Sequence, residues 1–177
     1  MKEIVFLRCK NNKKVGIQLE LEFRLIRGED FYRISPLLNE WWGGRQMTDM
    51  LPKLFFDHFN NTSFIVELNE EIVGFLIGFN SQSNINEAYI HFVGVHPDKR
   101  NLKIGRQLYE KFCSEVKSSG RKKVKCVTSP INKASIAFHT KMGFQIEKGN
   151  KVVDGLNIHS DYDGHNQDRV LFVKSLY

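Results

Sequence analysis

Tyr89 and His91, two residues apart in EAYIHFVGV, are the first place where this sequence can move protons. An imidazole accepts a proton near neutral pH; the alternative is that His91 is a hydrogen-bonded, inert core histidine. A second histidine, His139, follows Asn132 by seven residues in NKASIAFHTKMGF. That spacing puts both on one face of a helix, about two turns apart. There the amide can hold an amide-containing cofactor arm, and the imidazole can protonate a leaving group. The alternative is an ordinary amphipathic helix. The third feature is cationic. HPDKRNLKIGRQ carries Lys99, Arg100, Lys103 and Arg106 around Gly105. A strand feeding a basic, glycine-containing turn and then a helix is an anion cradle, because unpaired N–H groups and the positive end of the helix dipole point at one spot. The expected guest is the pyrophosphate of a coenzyme.

These groups need a strand–turn–helix unit and a second helix to position them. Residues 89–95 read as a strand with alternating faces: Tyr89, His91, Val93 and Val95 on one, Ile90, Phe92 and Gly94 on the other. A coenzyme along the end of that strand would use backbone groups near Val93 and Val95, leaving Tyr89 and His91 beside the reacting atoms. The following helix carries Leu108, Tyr109, Phe112, Cys113 and Val116 at helical spacing. A buried strand is expected at 124–128. The next helix is expected to start at Ser129-Pro130, with serine as cap and Ile131, Ala134, Ser135, Phe138 and Met142 as its buried face. Strands follow at 144–147 and 170–173, with a long loop at 148–169 between them.

Upstream, residues 1–20 suit an extra hairpin of two short strands, and 21–26 a further strand. Phe31, Ile34, Leu38 and Trp41 mark a helix that either begins near Ser35 or is kinked by Pro36. After the loop WWGGRQMTD, Thr48 can cap a second helix with the stripe Leu51, Leu54, Phe55, His58 and Phe59. Strands at 63–68 and 72–79 form a hairpin. Antiparallel strands followed by β-α-β-α-β predict a single α/β (α+β) domain over residues 1–177, with one mixed sheet and helices on both faces.

Composition narrows the function. With 41% hydrophobic and 26% charged residues, the chain is that of an ordinary globular protein. No apolar run reaches the length of a membrane span, and Ile4 to Leu7 is too short for a signal core, so a cytoplasmic protein with no membrane partner is expected. Three widely spaced cysteines and scattered histidines provide neither a disulfide framework nor metal-ligand spacing, so no metal is expected. The net charge of +6 suits an anionic partner. The cations cluster at residues 98–106 and 121–125 with no RNA-binding aromatic signature, which favours a small anionic cofactor over nucleic acid.

Two motifs, in order and at sensible spacing, carry a family resemblance. VGVHPDKRNLKIGRQLY and the ending N-x-x-S-x-x-F-H-x-K-M-G-F resemble the GNAT superfamily of acyl-CoA-dependent N-acetyltransferases. The resemblance is close over about residues 72–144 and looser elsewhere. It implies a GNAT-like fold with acetyl-CoA as acyl donor in a V-shaped gap between two parallel strands. The pyrophosphate motif R/Q-x-x-G-x-G/A maps to Arg100-Asn101-Leu102-Lys103-Ile104-Gly105, followed by Arg106. Carried over residue by residue, coenzyme contacts are expected at Val93, Gly94, Val95, Arg100, Asn101, Leu102, Lys103, Ile104, Gly105, Arg106, Asn132, Ser135, Phe138 and Lys141. Lys103 stands where the family usually has its first glycine. Its side chain either crowds the turn or reaches a phosphate.

The resemblance also implies the chemistry. An amine loses a proton to a base, attacks the thioester carbonyl, and coenzyme A leaves as the thiol, with a backbone N–H near Val93 steadying the oxyanion. His91 falls where some arylalkylamine-acetylating members carry a catalytic histidine. His139 falls where many members carry a proton-donating tyrosine, and Tyr89 sits beside His91. The family shapes its acceptor site from the first helices and the loop before the last strand. Trp41, Trp42, Tyr162 and Asp163 are the matching residues here, an aromatic and acidic set suited to a small cationic or aromatic amine. The alternatives are acetylation of a protein or peptide amine, and a catalytically silent acyl-CoA-binding module. A monomer or a homodimer is expected.

Overall fold

The computed structural model describes residues 2–6 and 18–177. The second strand expected near residues 15–19 lies mostly outside them. The chain falls into two compact units, one of residues 1–78 and 92–112, the other of residues 79–91 and 113–177.

The first unit contains β1 (Lys2–Phe6), β2 (Gln18–Leu25), β3 (Phe64–Leu68) and most of β4 (Glu71–Asn80), each antiparallel to the one before. Asn69 and Glu70 close the β3–β4 hairpin with φ of 51° and 67°. Two consecutive positive φ values match the right-handed strand twist, which is why a two-residue loop suffices. Helix α1 (Asp30–Trp41) starts at Asp30, not at Ser35, and runs through Pro36. Its start is held electrostatically. The buried Asp30 carboxylate accepts both Arg24 terminal nitrogens, at 2.7 and 2.8 Å, and the Arg27 N–H at 2.8 Å.

The continuous helix expected after Thr48 is instead a 3₁₀ turn at Thr48–Met50 and a five-residue helix α2 (Leu54–His58). The Thr48 hydroxyl accepts from the Gln46 side chain at 2.6 Å and caps no helix. With so short a helix the expected stripe holds at Leu51, which is buried, and fails beyond it: Phe56 is buried and Leu54 is 47% exposed. The core joins Ile34, Leu38, Trp41, Leu51, Phe56, Phe75 and Phe92. Each such side chain contributes about 1.5–3 kcal/mol of burial. On β4 a side chain at Gly74 would meet Ile104 and Leu108, whereas Phe75 stacks on Trp41 with ring centroids 5.9 Å apart. Helices therefore cover both faces of this part of the sheet.

In the second unit, the first half of β5 (Glu87–Val95) runs parallel to β6 (Lys123–Thr128). Antiparallel to β6 lies β10 (Val170–Ser175), with the two-residue β7 (Gln145–Ile146) on its other side. The loop expected over 148–169 is partly structured. It contains the hairpin β8 (Lys151–Val153) and β9 (Leu156–Ile158), turned at Asp154-Gly155 with φ of 50° and 75°. Helix α3 (Ile104–Ser118) contributes to both units, and α4 (Lys133–Lys141) to the second. Hydrogen-bonded neighbours follow the order β1-β2-β3-β4-β5-β6-β10-β7, one large mixed sheet.

Helix α4 differs from expectation in both cap and face. Asn132, not Ser129, is the cap: its Oδ1 accepts the Ser135 N–H at 3.1 Å. The later start leaves Ile131 outside the helix and 81% exposed, and the side chain α4 buries is His139, 5% exposed. Ala134 is exposed as well.

Candidate active site

In the first unit, β5 ends at Val95 and the chain enters a 3₁₀ turn over Pro97–Leu102. His96 ties the turn to the sheet. Its N–H donates to the Val73 carbonyl at 3.0 Å, and its Nδ1 accepts the Asp98 N–H at 3.2 Å. Lys103 then adopts φ 59° and ψ 21°, a left-handed conformation, and α3 begins at Ile104. This bend explains a glycine preference at that position, since a Cβ there costs roughly 1–2 kcal/mol. The N–H groups of Ile104, Gly105 and Arg106 open the helix and have no intrahelical acceptor. Leu102 and Ile104 are buried, so their side chains anchor the loop and only their backbone can meet a ligand. Asn101, Lys103 and Arg106 are exposed around it. Arg106 also pairs with Glu110 at 2.7 Å. Arg100, likewise exposed, gives one N–H to the Trp41 carbonyl at 3.3 Å.

The tryptophan pair divides. Trp41, expected at the acceptor, is a core residue at 3% exposure, stacked on Phe75, with no face left for a substrate. Trp42 is half-buried, its ring 5.1 Å from that of Phe92. Gly94 is buried, and a Cβ on it would strike the Phe75 ring and meet Trp42 at 3.0 Å. Its side-chain-free surface serves that packing. Only its peptide groups remain for the coenzyme contact expected there.

In the second unit, β5 and β6 pair from Glu87↔Lys123 to Tyr89↔Lys125. The register ends there, although β5 continues to Val95 and β6 to Thr128. Buried and half-buried residues alternate along β5, with Tyr89, His91, Val93 and Val95 half-buried. The Tyr89 ring packs on Phe79 at 5.7 Å. Burial first, then Tyr162, Cys126 and Asp163, push its phenol well above the usual tyrosine range, against the opposing effect of Arg169.

His139 stacks on Phe172 at 4.7 Å and meets Phe144 edge-on at 5.5 Å. Its Nδ1 lies 2.7 Å from the Ser135 carbonyl oxygen, which can only accept, so Nδ1 carries the proton. Desolvation lowers its pKa below the ordinary histidine value, outweighing that hydrogen bond. At neutral pH the ring is therefore neutral. Ser135 places its hydroxyl 3.3 Å from the same nitrogen, Phe138 is half-buried and Lys141 exposed.

The loop before β10 is braced from within. His159 and Arg169 exchange backbone hydrogen bonds at 2.8 and 3.0 Å. Asp161 Oδ1 accepts the Asn166 N–H at 2.6 Å, and Asp168 Oδ1 accepts the Asp161 N–H at 3.0 Å. Asp163 pairs with Arg169 Nε at 2.6 Å, so its charge is already compensated. Tyr162 rises from this frame, 47% exposed, its ring edge-on to His159.

The model of the acetyltransferase (GNAT) family matches residues 31–144, more than half of the chain. The chain belongs to the GNAT acetyltransferase family. An uncharacterized N-acetyltransferase of Methanocaldococcus jannaschii is 34% identical over 131 residues, 72% of this chain and 54% of that protein. The chain thus spans about half the length of that relative. Two solved structures share its fold. Diaminobutyrate acetyltransferase from Paenibacillus lautus, in complex with L-2,4-diaminobutyric acid and coenzyme A, gives a TM-score of 0.65 at 20% identity, covering 90% of this chain and 97% of that one. YncA from Salmonella typhimurium, described as an acetyltransferase and solved with its cofactor acetyl-CoA, gives 0.65 at 17% identity, covering 89% and 94%.

Two residues depart from the family motifs that the sequence resembles. Lys103 adopts a backbone conformation that suits glycine. His139 replaces a tyrosine with a buried, neutral ring. Among the described residues no cluster of metal-ligating side chains occurs. Sequence reasoning missed the Asp163–Arg169 pair, whereas Asp161 and Asp168 act as the turn formers that aspartates in such a loop can be. His159 is a loop histidine, and its Nε2 is buried without a hydrogen-bond partner among the described residues. The Asp154-Gly155 dipeptide is the local signal that could have marked the β8–β9 turn within the expected loop. No local pattern signals the ion pair.

Proposed function

We propose that the chain is an acetyl-CoA-dependent N-acetyltransferase that moves an acetyl group to a primary amine of a small cationic or aromatic molecule by direct attack. The observation that carries this reading is the cradle of the first unit. A strand, a 3₁₀ turn, a left-handed residue and an open helix start present amides and exposed cations on one loop. That donor set fits a pyrophosphate, because backbone N–H groups hydrogen-bond its oxygens while Arg100, Lys103 and Arg106 add compensating charge. Bound there, acetyl-CoA would supply the acyl group as an activated thioester.

In the first unit the amides of Ile104, Gly105 and Arg106 hold the pyrophosphate, and the Val93 and Val95 backbone orients the remaining arm. Trp42 offers an aromatic face. In the second unit, Asn132 offers its side-chain NH₂, and Ser135, Phe138 and Lys141 line the same helix. His91 takes the proton from the amine. Tyr162 offers a second aromatic face, fixed by the braced loop. With Asp163 compensated by Arg169, acceptor preference rests on these aromatic faces more than on a carboxylate.

The reading is tested by calorimetry with acetyl-CoA and by thiol release with DTNB across a panel of small amines and peptides. Binding with release on small amines is expected. Release on peptides alone would move the acceptor to a protein amine. Binding without release on any amine would leave a silent acyl-CoA-binding module, and absence of binding would overturn the cradle.

A further inference from the structure

Resting on the coenzyme reading of the cradle, we propose that Arg100 is a positioning residue for Trp42: it couples anion binding in the cradle to the placement of that ring, so that a filled cradle fixes the aromatic face. All the residues involved belong to the first unit. The first observation is where the backbone hydrogen bonds at the end of α1 go. The last four carbonyls of an α-helix have no partner within it. In α1 these belong to Leu38, Asn39, Glu40 and Trp41. The N–H groups of Trp42, Gly44 and Gly43 donate to the first three, at 3.2, 2.7 and 2.9 Å. The fourth, on Trp41, accepts from Arg100 at 3.3 Å. The last turn of α1 contains no basic residue, so Arg100 also brings positive charge to the negative end of its dipole.

Second, the tryptophan pair leans on the elements that make the cradle. The Trp41 ring meets His96 edge-on at 5.5 Å, and His96 caps the 3₁₀ turn that carries Arg100. The Trp42 ring lies 5.1 Å from that of Phe92, and a Cβ on Gly94 would meet it at 3.0 Å. Trp42 therefore stands on the last residues of β5, just before the turn. Asn39 Oδ1 accepts the Met47 N–H at 2.7 Å, which ties the loop after Trp42 to the same helix end. Third, Arg100 has capacity to spare. A guanidinium offers five N–H donors in a planar fork. One serves the Trp41 carbonyl, and the exposed remainder can meet a pyrophosphate oxygen. A fork held at one edge loses less freedom when it binds at the other, so the two bonds favour each other. By linkage, an anion that steadies Arg100 steadies the end of α1 by the same free energy.

Trp41 and Trp42 are the two tryptophans of the chain, so intrinsic tryptophan fluorescence reads this corner alone. The probe is inorganic pyrophosphate at constant ionic strength, which fills the cradle but has no arm to touch Trp42. The readout is quenching by acrylamide, with calorimetry to establish saturation. Wild type should become harder to quench as pyrophosphate saturates it. Arg100→Met keeps the apolar stem and removes every donor. It should be easier to quench than wild type without ligand, and its response to pyrophosphate should be lost. Lys103→Met removes a cation of the same loop without touching the Trp41 bond. It should bind pyrophosphate more weakly yet respond fully at saturation. Wild-type tryptophans that ignore saturating pyrophosphate would overturn the proposal. So would an Arg100→Met protein that is quenched like wild type without ligand or that still responds, and so would a response lost in Lys103→Met. If neither coenzyme A nor pyrophosphate binds, the cradle reading falls and the proposal with it. Coenzyme A that binds while pyrophosphate leaves the tryptophans unchanged removes the proposal alone.

Discussion

Replacing Lys103 with glycine separates two roles that one residue combines. The backbone at Lys103 is left-handed, with φ 59° and ψ 21°. An L-residue there bears roughly 1–2 kcal/mol of strain that glycine does not. Glycine gives back about 0.5–1 kcal/mol through the entropy of the unfolded chain. The net gain of about 0–1.5 kcal/mol corresponds to a Tm rise of up to about 6 °C for a chain of this length. The lost ammonium works in the opposite direction on the ligand. For charges roughly 6 Å apart in water, one cation against a doubly charged pyrophosphate is worth about tenfold in affinity at low ionic strength. Screening over a length of about 8 Å reduces that to about threefold at physiological salt. The assays are thermal unfolding and calorimetry with coenzyme A at low and physiological salt. The expected result is a more stable protein that binds more weakly, with a smaller salt dependence. Lower stability would refute the left-handed bend. Unchanged affinity at low salt would refute a phosphate role for the ammonium.

His91→Gln should lower kcat and abolish the acidic limb of the pH–rate profile; an unchanged profile would remove His91 as the base. His139→Phe should keep the stack on Phe172 and leave the shape of that profile intact. It should also remove a stability loss that wild type suffers on acidification. The folded His139 pKa is depressed, so the unfolded chain binds the extra proton and wild type weakens as pH falls below the ordinary value of 6.5. Equal Tm profiles for the two proteins between pH 7 and 5 would refute a buried neutral ring. Asp30→Asn should destabilise by about 1–3 kcal/mol, because it removes the charged acceptor of the Arg24 and Arg27 N–H groups and leaves the Arg24 guanidinium paired with Glu67 alone. Burial by itself raises the Asp30 pKa, but Arg24, the Arg27 N–H and Arg33 outweigh it, and Arg24 likewise lowers Glu67. Their stabilisation is present above the ordinary values of 3.8 and 4.5 and is lost as pH falls through the lower folded values. Acid titration of Tm should therefore be shallower in the Asp30→Asn variant, and an equal slope would count against the pairing.

Much of the site was legible because it is local. The basic turn at residues 96–106, the half-buried alternation of Tyr89 to Val95 and the helix N-terminus at Ile104 each depend on residues close in sequence, where periodicity and turn chemistry act directly. The two-residue turns at Asn69-Glu70 and Asp154-Gly155 belong to the same class, although only the first was read as a hairpin. The second helix failed for a related reason. Pro52 removes a backbone donor within the expected helix, and the chain resolves into a 3₁₀ turn and five helical residues, which changes which aromatic is buried.

Residue identity by itself determined the basic turn before α3, the family motifs and the presence of candidate bases. Tertiary packing decided which of these groups retain chemistry to perform. Trp41 and Trp42 are adjacent and identical, yet one is stacked in the core and the other lies half-buried on β5. His139 looked like a proton donor until burial against Phe172 and Phe144 made its neutral form the stable one. Asp163 looked like an acceptor contact until Arg169, six residues on, compensated it. Protonation and accessibility depend on dielectric surroundings and on partners distant in sequence or set by a fold-specific loop, and a linear pattern does not encode them.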